Sequence, residues 1–150
     1  MPLSERLSSG DVVGGKFRIG AELGRGAMGW VFEAEHLELK HTVAIKVIDP
    51  QGVDAAGLKR FKREGVALAK LESEHVVRVI DYGSLPNGSP YLVMERLKGR
   101  DVAAHLKEQT SLTIGEASEI VHQAAEALAE AHAHGVVHRD LKPSNLFLAE

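Results

Sequence analysis

The sequence predicts an α+β fold: a small, mainly antiparallel sheet with one helix, followed by the opening of a helical region. Short segments rich in β-branched and aromatic residues recur up to about Leu97, as expected of strands in one sheet. Beyond Lys98 the apolar residues recur at helical spacing instead. We therefore predict a flexible leader at residues 1–15, a sheet region at 16–97 and a helical region at 98–150.

The composition is that of an ordinary soluble globular protein, and it excludes several function classes. The net charge of −3 over 150 residues lacks the basic excess of a nucleic-acid binder. No apolar run approaches the roughly 18 residues of a membrane span, and the polar start lacks the apolar stretch of a secretory signal. The absence of cysteine excludes disulfides, thiolate metal sites and a cysteine nucleophile. A cytoplasmic location is the simplest expectation.

The leader is rich in Ser and Gly and shows no periodicity, which is typical of a flexible segment. After it, five segments are predicted as strands: residues 17–23, 30–35, 42–48, 76–80 and 91–95. Asn87-Gly88, in the polar stretch before the last strand, favours a tight hairpin turn with positive φ. These segments predict an antiparallel arrangement for most of the sheet region.

Two helices are predicted, one in each region. Residues 54–71 place four apolar side chains on one face: Leu58, Phe61, Leu68 and Leu71. Residues 113–133 begin with Thr113 and Glu116 at the spacing of a capping box, in which each side chain bonds an otherwise unpaired backbone N–H. Gly135 lies where this second helix is expected to end.

Three glycines, Gly24, Gly26 and Gly29, form a G-x-G-x-x-G cluster between the first two predicted strands. Glycine lets the backbone approach a phosphate closely, but it is also the usual residue of strained turns, so a plain hairpin is an alternative. A dinucleotide-binding βαβ unit would need a helix directly after the glycines. Residues 30–35 are strand-like instead. A glycine-rich hairpin over phosphates is therefore favoured over a dinucleotide fold.

Lys46 stands inside the β-branched strand 42–48, where a cation is unusual because desolvating an unpaired ammonium is costly. One interpretation is an edge-strand lysine that points to solvent, and the other is a lysine that holds nucleotide phosphates. Glu64 lies three residues after Phe61, on the side of the apolar stripe of helix 54–71. An ion pair between Lys46 and Glu64 explains both residues. The neighbouring basic residues are interpreted as a solvated face: Lys59, Arg60, Lys62 and Arg63.

The stretch 138–145 places polar and charged side chains between two apolar segments, 136–137 and 146–148. Such crowding is unfavourable unless the side chains form a site, although a polar loop without chemistry is the alternative. Phosphoryl transfer would use these groups: a carboxylate accepts the proton of the attacking hydroxyl, an amide oxygen binds Mg²⁺, and a cation screens the γ-phosphate.

Three histidines next to this stretch, His132, His134 and His138, could suggest a metal site. Residues two apart on a helix face different directions, and Gly135 interrupts the continuation to His138. No cysteine or well-spaced carboxylate completes a set of ligands. We therefore predict no metal site at the histidines and a structural role for His138.

Together these motifs resemble the signature set of protein kinases. The matching residues are Gly24, Gly26, Gly29 and Val31 of the glycine loop, Val43-Ala44-Ile45-Lys46, and His138-Arg139-Asp140-Leu141-Lys142-Pro143-Ser144-Asn145. The resemblance runs from about Lys16 to the last residue, and the first segments are similar to the eukaryotic-like Ser/Thr kinases of bacteria. It implies an N-lobe antiparallel sheet with one αC-type helix, then the first helices and the catalytic loop of an α-helical C-lobe.

The resemblance implies an ATP site in which each part of the nucleotide has its own residues. The backbone of the glycine loop would cover the phosphates: Gly24, Arg25, Gly26, Ala27, Met28 and Gly29. Lys46, tied in place by Glu64, would hold the α- and β-phosphates. The adenine would be enclosed as follows: Leu23, Val31, Ala44 and Phe147 as its sandwich, Met94 as gatekeeper, and the backbone of Glu95 and Leu97 along its edge. Asp101 would contact the ribose.

The resemblance also implies transfer of the ATP γ-phosphate to a Ser or Thr hydroxyl of a protein substrate, with Mg²⁺ as cofactor. Asp140 would be the catalytic base, Asn145 a ligand of one Mg²⁺, and Lys142 the cation at the transferred phosphate. Lysine at position 142 resembles Ser/Thr rather than Tyr kinases. Trp30, directly after the last loop glycine, is unusually bulky, and only packing or solvent cover accounts for it.

The family places a D-F-G segment and then an activation loop soon after the catalytic Asn, and neither occurs before Glu150. We therefore expect a kinase domain truncated after the catalytic loop, without measurable activity alone and with self-association through an incomplete helical lobe. The alternative is a non-catalytic nucleotide-binding or interaction module derived from a kinase. The intact set Lys46, Glu64, Asp140 and Asn145 favours the enzyme.

Overall fold

The computed structural model describes residues 7–26 and 29–150. Within them the elements are β1 (Val12–Val13), β2 (Phe17–Arg25), β3 (Gly29–His36), β4 (Thr42–Ile48), α1 (Ala55–Leu68), β5 (Val79–Ser84), β6 (Pro90–Glu95), β7 (Gly99–Asp101), α2 (Val102–Gln109), α3 (Ile114–Ala133), a short 3-10 helix (Pro143–Asn145) and β8 (Phe147–Ala149). The described residues form two compact units. The first contains those up to Ala69 together with Arg78–Arg96, and the second contains Lys70–Val77 and Leu97–Glu150.

The first unit is built on an antiparallel sheet with the strand order β1-β2-β3-β4-β6-β5. One face of the sheet forms the main core: Val13, Phe17, Ile19, Phe32, Ala34, Val43, Ile45, Val47, Tyr91 and Val93. The β-branched strand β4 is buried along most of its length and has the bounds that the sequence predicts. Trp30 packs against this core, which accounts for the bulky residue after Gly29.

The leader predicted for residues 1–15 is wrong for Val12–Val13. Strand β1 pairs with β2 in the register Val12↔Arg18 and Val13↔Phe17, and Val13 is only 1% exposed. Gly14 and Gly15 both have positive φ, which lets the chain turn back onto the edge of the sheet within three residues. The Ser- and Gly-rich composition of this segment indicates a loop. The burial of Val13 and the pairing of β1 with β2 make it a strand instead. Residues 1–6 of the predicted leader lie outside the described residues.

Helix α1 packs on the other face of the sheet. The side chain of Asp54 accepts a hydrogen bond from Gly57 N (2.7 Å) and so caps the helix start. The contacts form a second apolar cluster: Ile48, Phe61 and Leu92, with Leu58 packed against it. The helix ends at Leu68, three residues earlier than predicted, so Leu71 is not part of its apolar face.

The predicted strand at 76–80 is shifted in the structure. Strand β5 spans Val79–Ser84. The first residues of the predicted strand belong to the segment Lys70–Val77, which is part of the second unit and not of the sheet. The predicted turn before β6 is present, with Gly88 N–H donating to Leu85 O (2.9 Å). Of the pair Asn87-Gly88, only Gly88 has a positive φ. The side chain of Asn87 accepts a hydrogen bond from Ser89 N (2.9 Å).

The second unit contains α2, α3 and a two-stranded ladder of β7 with β8. Helix α3 has the predicted capping box: Thr113 Oγ1 accepts from Glu116 N (3.1 Å), and Glu116 Oε2 accepts from Thr113 N (2.8 Å). The hydrogen bonds from Thr113 lower the pKa of the Glu116 carboxyl. No helix in the described part of the chain combines the length and the apolar character needed to cross a membrane.

Segment 70–77 is held on α3 by acidic side chains. Glu130 accepts hydrogen bonds from Glu72 N (2.6 Å) and Ser73 N (2.8 Å). His75 Nε2 lies 3.2 Å from Glu126 Oε2, one helical turn before Glu130. The two hydrogen bonds to Glu130 join residues that lie 58 and 57 positions apart in the chain. The carboxylate of Glu130 therefore fixes the course of the segment before β5.

Candidate active site

One face of the sheet carries several of the residues predicted to bind a nucleotide. In an antiparallel ladder, residues directly opposite each other point to the same face. Val31 lies opposite Lys46, and the next row of that face contains Glu33, Ala44 and Met94. This face lies opposite the main core, and Lys46 is half-buried on it. The strand register thus brings four predicted residues onto one surface, and their contacts with a nucleotide stay predictions.

The glycine loop is a hairpin between β2 and β3. Gly24 pairs with Val31, and Gly26 N–H donates to Gly29 O (2.9 Å). A Cβ on Gly29 would overlap the carbonyl oxygen of Val47, so sheet packing itself requires glycine there. A Cβ on Gly24 or Gly26 would meet no described atom within 4 Å. The loop therefore has one glycine needed by the fold and two at which a side chain would meet no described neighbour.

The remaining residues predicted for this part of the site, Leu23 against the adenine and Arg25, Ala27 and Met28 over the phosphates, lie at the end of β2 or beyond it. Leu23 is 40% exposed. Arg25 pairs with Glu22, with Arg25 Nε 3.2 Å from Glu22 Oε1. An exposed ion pair of this kind contributes little to stability, so the hairpin does not depend on it. Ala27 and Met28 lie outside the described residues.

The predicted ion pair between Lys46 and Glu64 is absent. Within residues 7–26 and 29–150, no ion pair includes either side chain. The buried side of α1 centres on Phe61 and Gly65, and this leaves Glu64 exposed. Lys46 therefore has no counter-ion among the described side chains. A half-buried cation in this state is suited to bind an anionic ligand.

Strand β6 leads into the segment predicted to bond the adenine edge. Glu95 N–H donates to Arg78 O (2.9 Å), and Glu95 Oε1 accepts a hydrogen bond from Arg78 N (2.8 Å). The backbone N–H of Glu95 is thus occupied, so a base could be bonded only through its carbonyl oxygen. Leu97 follows two residues later, as the first residue of the second unit after β6.

Residues of the predicted catalytic loop form a cluster in the second unit. Asn145 Nδ2 donates to Asp140 O (2.7 Å) and lies 3.4 Å from Asp140 Oδ2. Lys142 Nζ lies 3.4 Å from the same Oδ2. The side chains of Asp140 and Lys142 are 67% and 54% exposed, so their ion pair adds little to stability. What the cluster provides is geometry, because an amide and a cation are held beside one carboxylate.

The backbone around Asp140 holds this cluster together. Arg139 has a φ of 67°, which is unusual for a residue with a side chain and common at functional sites. Asp140 N–H donates to His138 Nδ1 (3.2 Å), so His138 supports the loop. Pro143 opens the short 3-10 helix, whose turn brings Asn145 back to Asp140. No group of His, Asp and Glu side chains in the described residues is arranged to hold a metal ion.

Asp101 and Phe147 lie opposite each other in the ladder of β7 and β8. Asp101 Oδ1 accepts a hydrogen bond from Ala104 N (2.8 Å) and caps α2, a structural role that was not predicted. Phe147 is 42% exposed. The ladder connects the end of the catalytic loop to the start of α2, since Val102 N–H also donates to Leu146 O (2.8 Å). The ribose and adenine contacts of Asp101 and Phe147 stay predictions.

Comparison with known proteins decides the family. A model described as the protein kinase domain matches residues 17–150. The chain belongs to the protein kinase family. Its fold is protein-kinase-like, with an N-lobe antiparallel sheet and helix and a few C-lobe helices, which confirms the predicted fold class.

The relatives are named as serine/threonine-protein kinases. PknD of Mycobacterium tuberculosis is 41% identical over 135 residues, and pkn3 of Myxococcus xanthus is 36% identical over 140 residues. These alignments cover 89% and 93% of this chain but only 20% and 26% of the relatives. The crystal structure of the M. tuberculosis PknI kinase domain matches with a TM-score of 0.86 at 33% identity, over 96% of this chain and 58% of that one.

The sequence-based prediction missed a polar contact next to the predicted site. Arg96 Nε donates to Glu33 Oε2 (3.1 Å), and the two residues are 63 positions apart. A signal for Glu33 does exist, because it stands between the buried Phe32 and Ala34 and therefore points to the opposite face. No local pattern indicates Arg96 as its partner. The pair lies in the first unit, at the end of β6.

Proposed function

We propose that this chain is the nucleotide-binding and catalytic-loop part of a protein Ser/Thr kinase, which transfers the ATP γ-phosphate to a Ser or Thr hydroxyl of a protein. The observation that carries the proposal is the cluster of Asp140, Lys142 and Asn145. Membership of the protein kinase family and relatives named serine/threonine-protein kinases support it. The chain spans only about a quarter or less of the length of those relatives. Phosphate transfer is therefore proposed for the whole protein.

Asp140 has one carboxylate oxygen available for chemistry. Oδ2 faces Lys142 and Asn145, whereas Oδ1 has no hydrogen-bond partner among the described residues. Oδ1 can therefore accept the proton of the attacking hydroxyl. The hydroxyl oxygen forms a bond to the γ-phosphorus, the bond from that phosphorus to the β–γ bridging oxygen breaks, and ADP leaves. Lys142 lies close enough to Asp140 to stabilise negative charge on the phosphoryl group as it transfers.

Asn145 fits the proposed role of a Mg²⁺ ligand. Its Nδ2 donates to Asp140, so its Oδ1 is the atom that points away, and Oδ1 has no partner within the described residues. Amide oxygens are among the hard oxygen ligands that Mg²⁺ accepts. When bound, Mg²⁺ neutralises phosphate charge. The contribution of the chain is to hold Asn145 at a fixed distance from the carboxylate of Asp140.

Nucleotide binding is proposed for the sheet face of the first unit. Lys46 would pair with the α- and β-phosphates, because it is half-buried and has no counter-ion among the described side chains. A Cβ at Gly24 or Gly26 would meet no described atom within 4 Å, which suits close approach of the phosphates to the backbone. Active protein kinases need an ion pair between the residues that correspond to Lys46 and Glu64. Because Glu64 is exposed here, it would support Lys46 only if α1 adopts another position.

Two assays test the proposed function. Transfer of radiolabelled γ-phosphate to a generic protein substrate measures activity, and calorimetric titration with Mg²⁺ and ATP measures binding. Asp140→Asn should lower transfer at least about 100-fold, because the carboxylate that accepts the proton is lost. ATP binding should stay within about twofold, since Asp140 contacts the hydroxyl rather than the nucleotide. Asp11→Asn is the matched control, an exposed aspartate in the first unit, and should transfer at the wild-type rate.

The outcomes separate the two functions considered from the sequence. Wild-type transfer by the Asp140→Asn variant would refute the assignment of the base. ATP binding by the intact protein without any transfer would favour the non-catalytic nucleotide-binding module. Loss of ATP binding in Lys46→Met, with a thermal transition like that of the wild type, would support the phosphate contact.

A further inference from the structure

The contact between Glu33 and Arg96 lies beside the backbone proposed to bond adenine. Arg96 directly follows β6 and stands between Glu95 and Leu97, the two residues proposed for the base edge. Its Nε donates to Glu33 Oε2 at 3.1 Å, with the two side chains 30% and 42% exposed. Arg96 is thus less exposed than Arg25, whose side chain is 53% exposed in its ion pair with Glu22.

The position of Glu33 in the sheet connects it to the proposed adenine site. Glu33 lies opposite Ala44, and Ala44 lies opposite Met94, so the three side chains form one row on the nucleotide face. Because β4 separates β3 from β6, the Glu33 side chain reaches past β4 to bond Arg96. The ion pair therefore links the residue after β6 to a strand that is not its neighbour.

A second set of bonds holds the same backbone from the other side. Glu95 N–H donates to Arg78 O (2.9 Å), and Arg78 N–H donates to Glu95 Oε1 (2.8 Å). Arg78 directly precedes β5, which flanks β6 on the side away from β4. Residues 95 and 96 are therefore fixed from both neighbouring sides of β6, by Arg78 and by Glu33.

We infer that Glu33 and Arg96 are positioning residues that orient the base-binding backbone of Glu95 for adenine rather than guanine. The inference rests on the proposed function. Adenine presents an amino donor where guanine presents a carbonyl oxygen, so a fixed backbone carbonyl accepts a hydrogen bond from adenine and repels guanine. Such discrimination depends on the orientation of the carbonyl, because an acceptor that can rotate away loses both the attraction and the repulsion.

Titrations with ATP and with GTP, each in the presence of Mg²⁺, test the inference on the intact protein. Glu33→Gln and Arg96→Gln should each weaken ATP binding about two- to fivefold, the range for a partly exposed ion pair. GTP binding should change less, so the ratio of the two affinities falls. The double variant Glu33→Arg with Arg96→Glu should restore part of the ratio, because the pair is re-formed with reversed charges. Glu35→Gln is the matched control.

The control makes the same chemical change two residues along β3. Glu35 is exposed, lies on the same face as Glu33, and has no ion-pair partner within the described residues. A lower ratio in both single variants, unchanged in Glu35→Gln and with equal melting temperatures, supports the inference. If the wild-type protein binds ATP but the Glu33→Gln and Glu35→Gln variants have the same ratio of ATP to GTP affinity, the inference is overturned and the proposed function is not. Wild-type protein that binds neither nucleotide overturns the proposed function and the inference with it.

Discussion

Gly29 and Gly24 lie in the same hairpin, but alanine at the two positions should affect stability differently. At Gly29 a Cβ would overlap the carbonyl oxygen of Val47, a backbone atom that no rotamer change can move. Strands β3 and β4 would have to separate where Gly29 pairs with Ile48. At Gly24 the same Cβ would meet no described atom within 4 Å. Neither glycine has a positive φ, so backbone strain does not distinguish the two substitutions.

The expected magnitudes follow from these contacts. Overpacking against a rigid neighbour costs about 1–3 kcal/mol, and weakening one ladder hydrogen bond costs about 1 kcal/mol. Gly29→Ala should therefore lower the free energy of unfolding by about 2–4 kcal/mol. Gly24→Ala should leave it unchanged or raise it by up to about 1 kcal/mol, because alanine restricts the unfolded chain. On the proposed function, Gly24→Ala should nevertheless weaken ATP binding, since the methyl group fills space beside the phosphate-binding backbone.

Urea unfolding, followed by the fluorescence of Trp30, measures the first effect, because the chain has a single tryptophan. Calorimetric titration with ATP and Mg²⁺ measures the second. Equal unfolding free energies for the Gly29→Ala and Gly24→Ala variants would refute the packing argument. A Gly24→Ala variant that binds ATP as tightly as the wild type would refute the proposed approach of the phosphates to this part of the backbone.

Three further predictions concern the turn after β1, the start of α3 and segment 70–77. Gly14→Ala should lower the free energy of unfolding by about 1–3 kcal/mol more than Gly15→Ala, since both have positive φ but only the former would overlap the Tyr91 hydroxyl; Tyr91→Phe should remove the difference in urea unfolding. Because the pKa of Glu116 is lowered, its carboxylate stabilises α3 fully above the ordinary carboxyl pKa, and this stabilisation is lost as the pH falls through the lowered pKa. Glu116→Gln should therefore reduce the fall of the melting temperature at acid pH. Glu130→Gln should speed amide exchange about tenfold at the two N–H groups that Glu130 accepts, and unchanged exchange would contradict its anchoring role.

Local patterns predicted the elements whose stabilising contacts are also local. Strand β4 has the predicted bounds, because a run of β-branched residues suits a buried strand whichever strands flank it. The capping box of α3 joins Thr113 and Glu116, three residues apart, so the sequence contains both partners. The cluster of Asp140 and Asn145 spans six positions, which a single turn can bring together.

The errors occur where distant segments decide the structure. Val13 becomes part of a strand only because β2 offers an edge and a buried position for it. Glu64 was placed on the apolar side of its helix by spacing, but α1 meets the sheet through Phe61 and Gly65 and leaves Glu64 exposed. Segment 70–77 was assigned to the sheet region, whereas bonds to Glu130 place it in the second unit.

The sequence by itself determined the family, the change from strands to helices near residue 97 and the chemical groups for which we propose phosphoryl transfer, because motifs such as residues 138–145 are contiguous. Only the tertiary structure decided which side chains share a surface. The register of β3, β4 and β6 places Glu33 in the row of Ala44 and Met94, and Arg96 reaches it across 63 residues. The physical reason is that side chains alternate between the faces of a sheet, so a shift of one residue in the pairing would move every one of them to the other side.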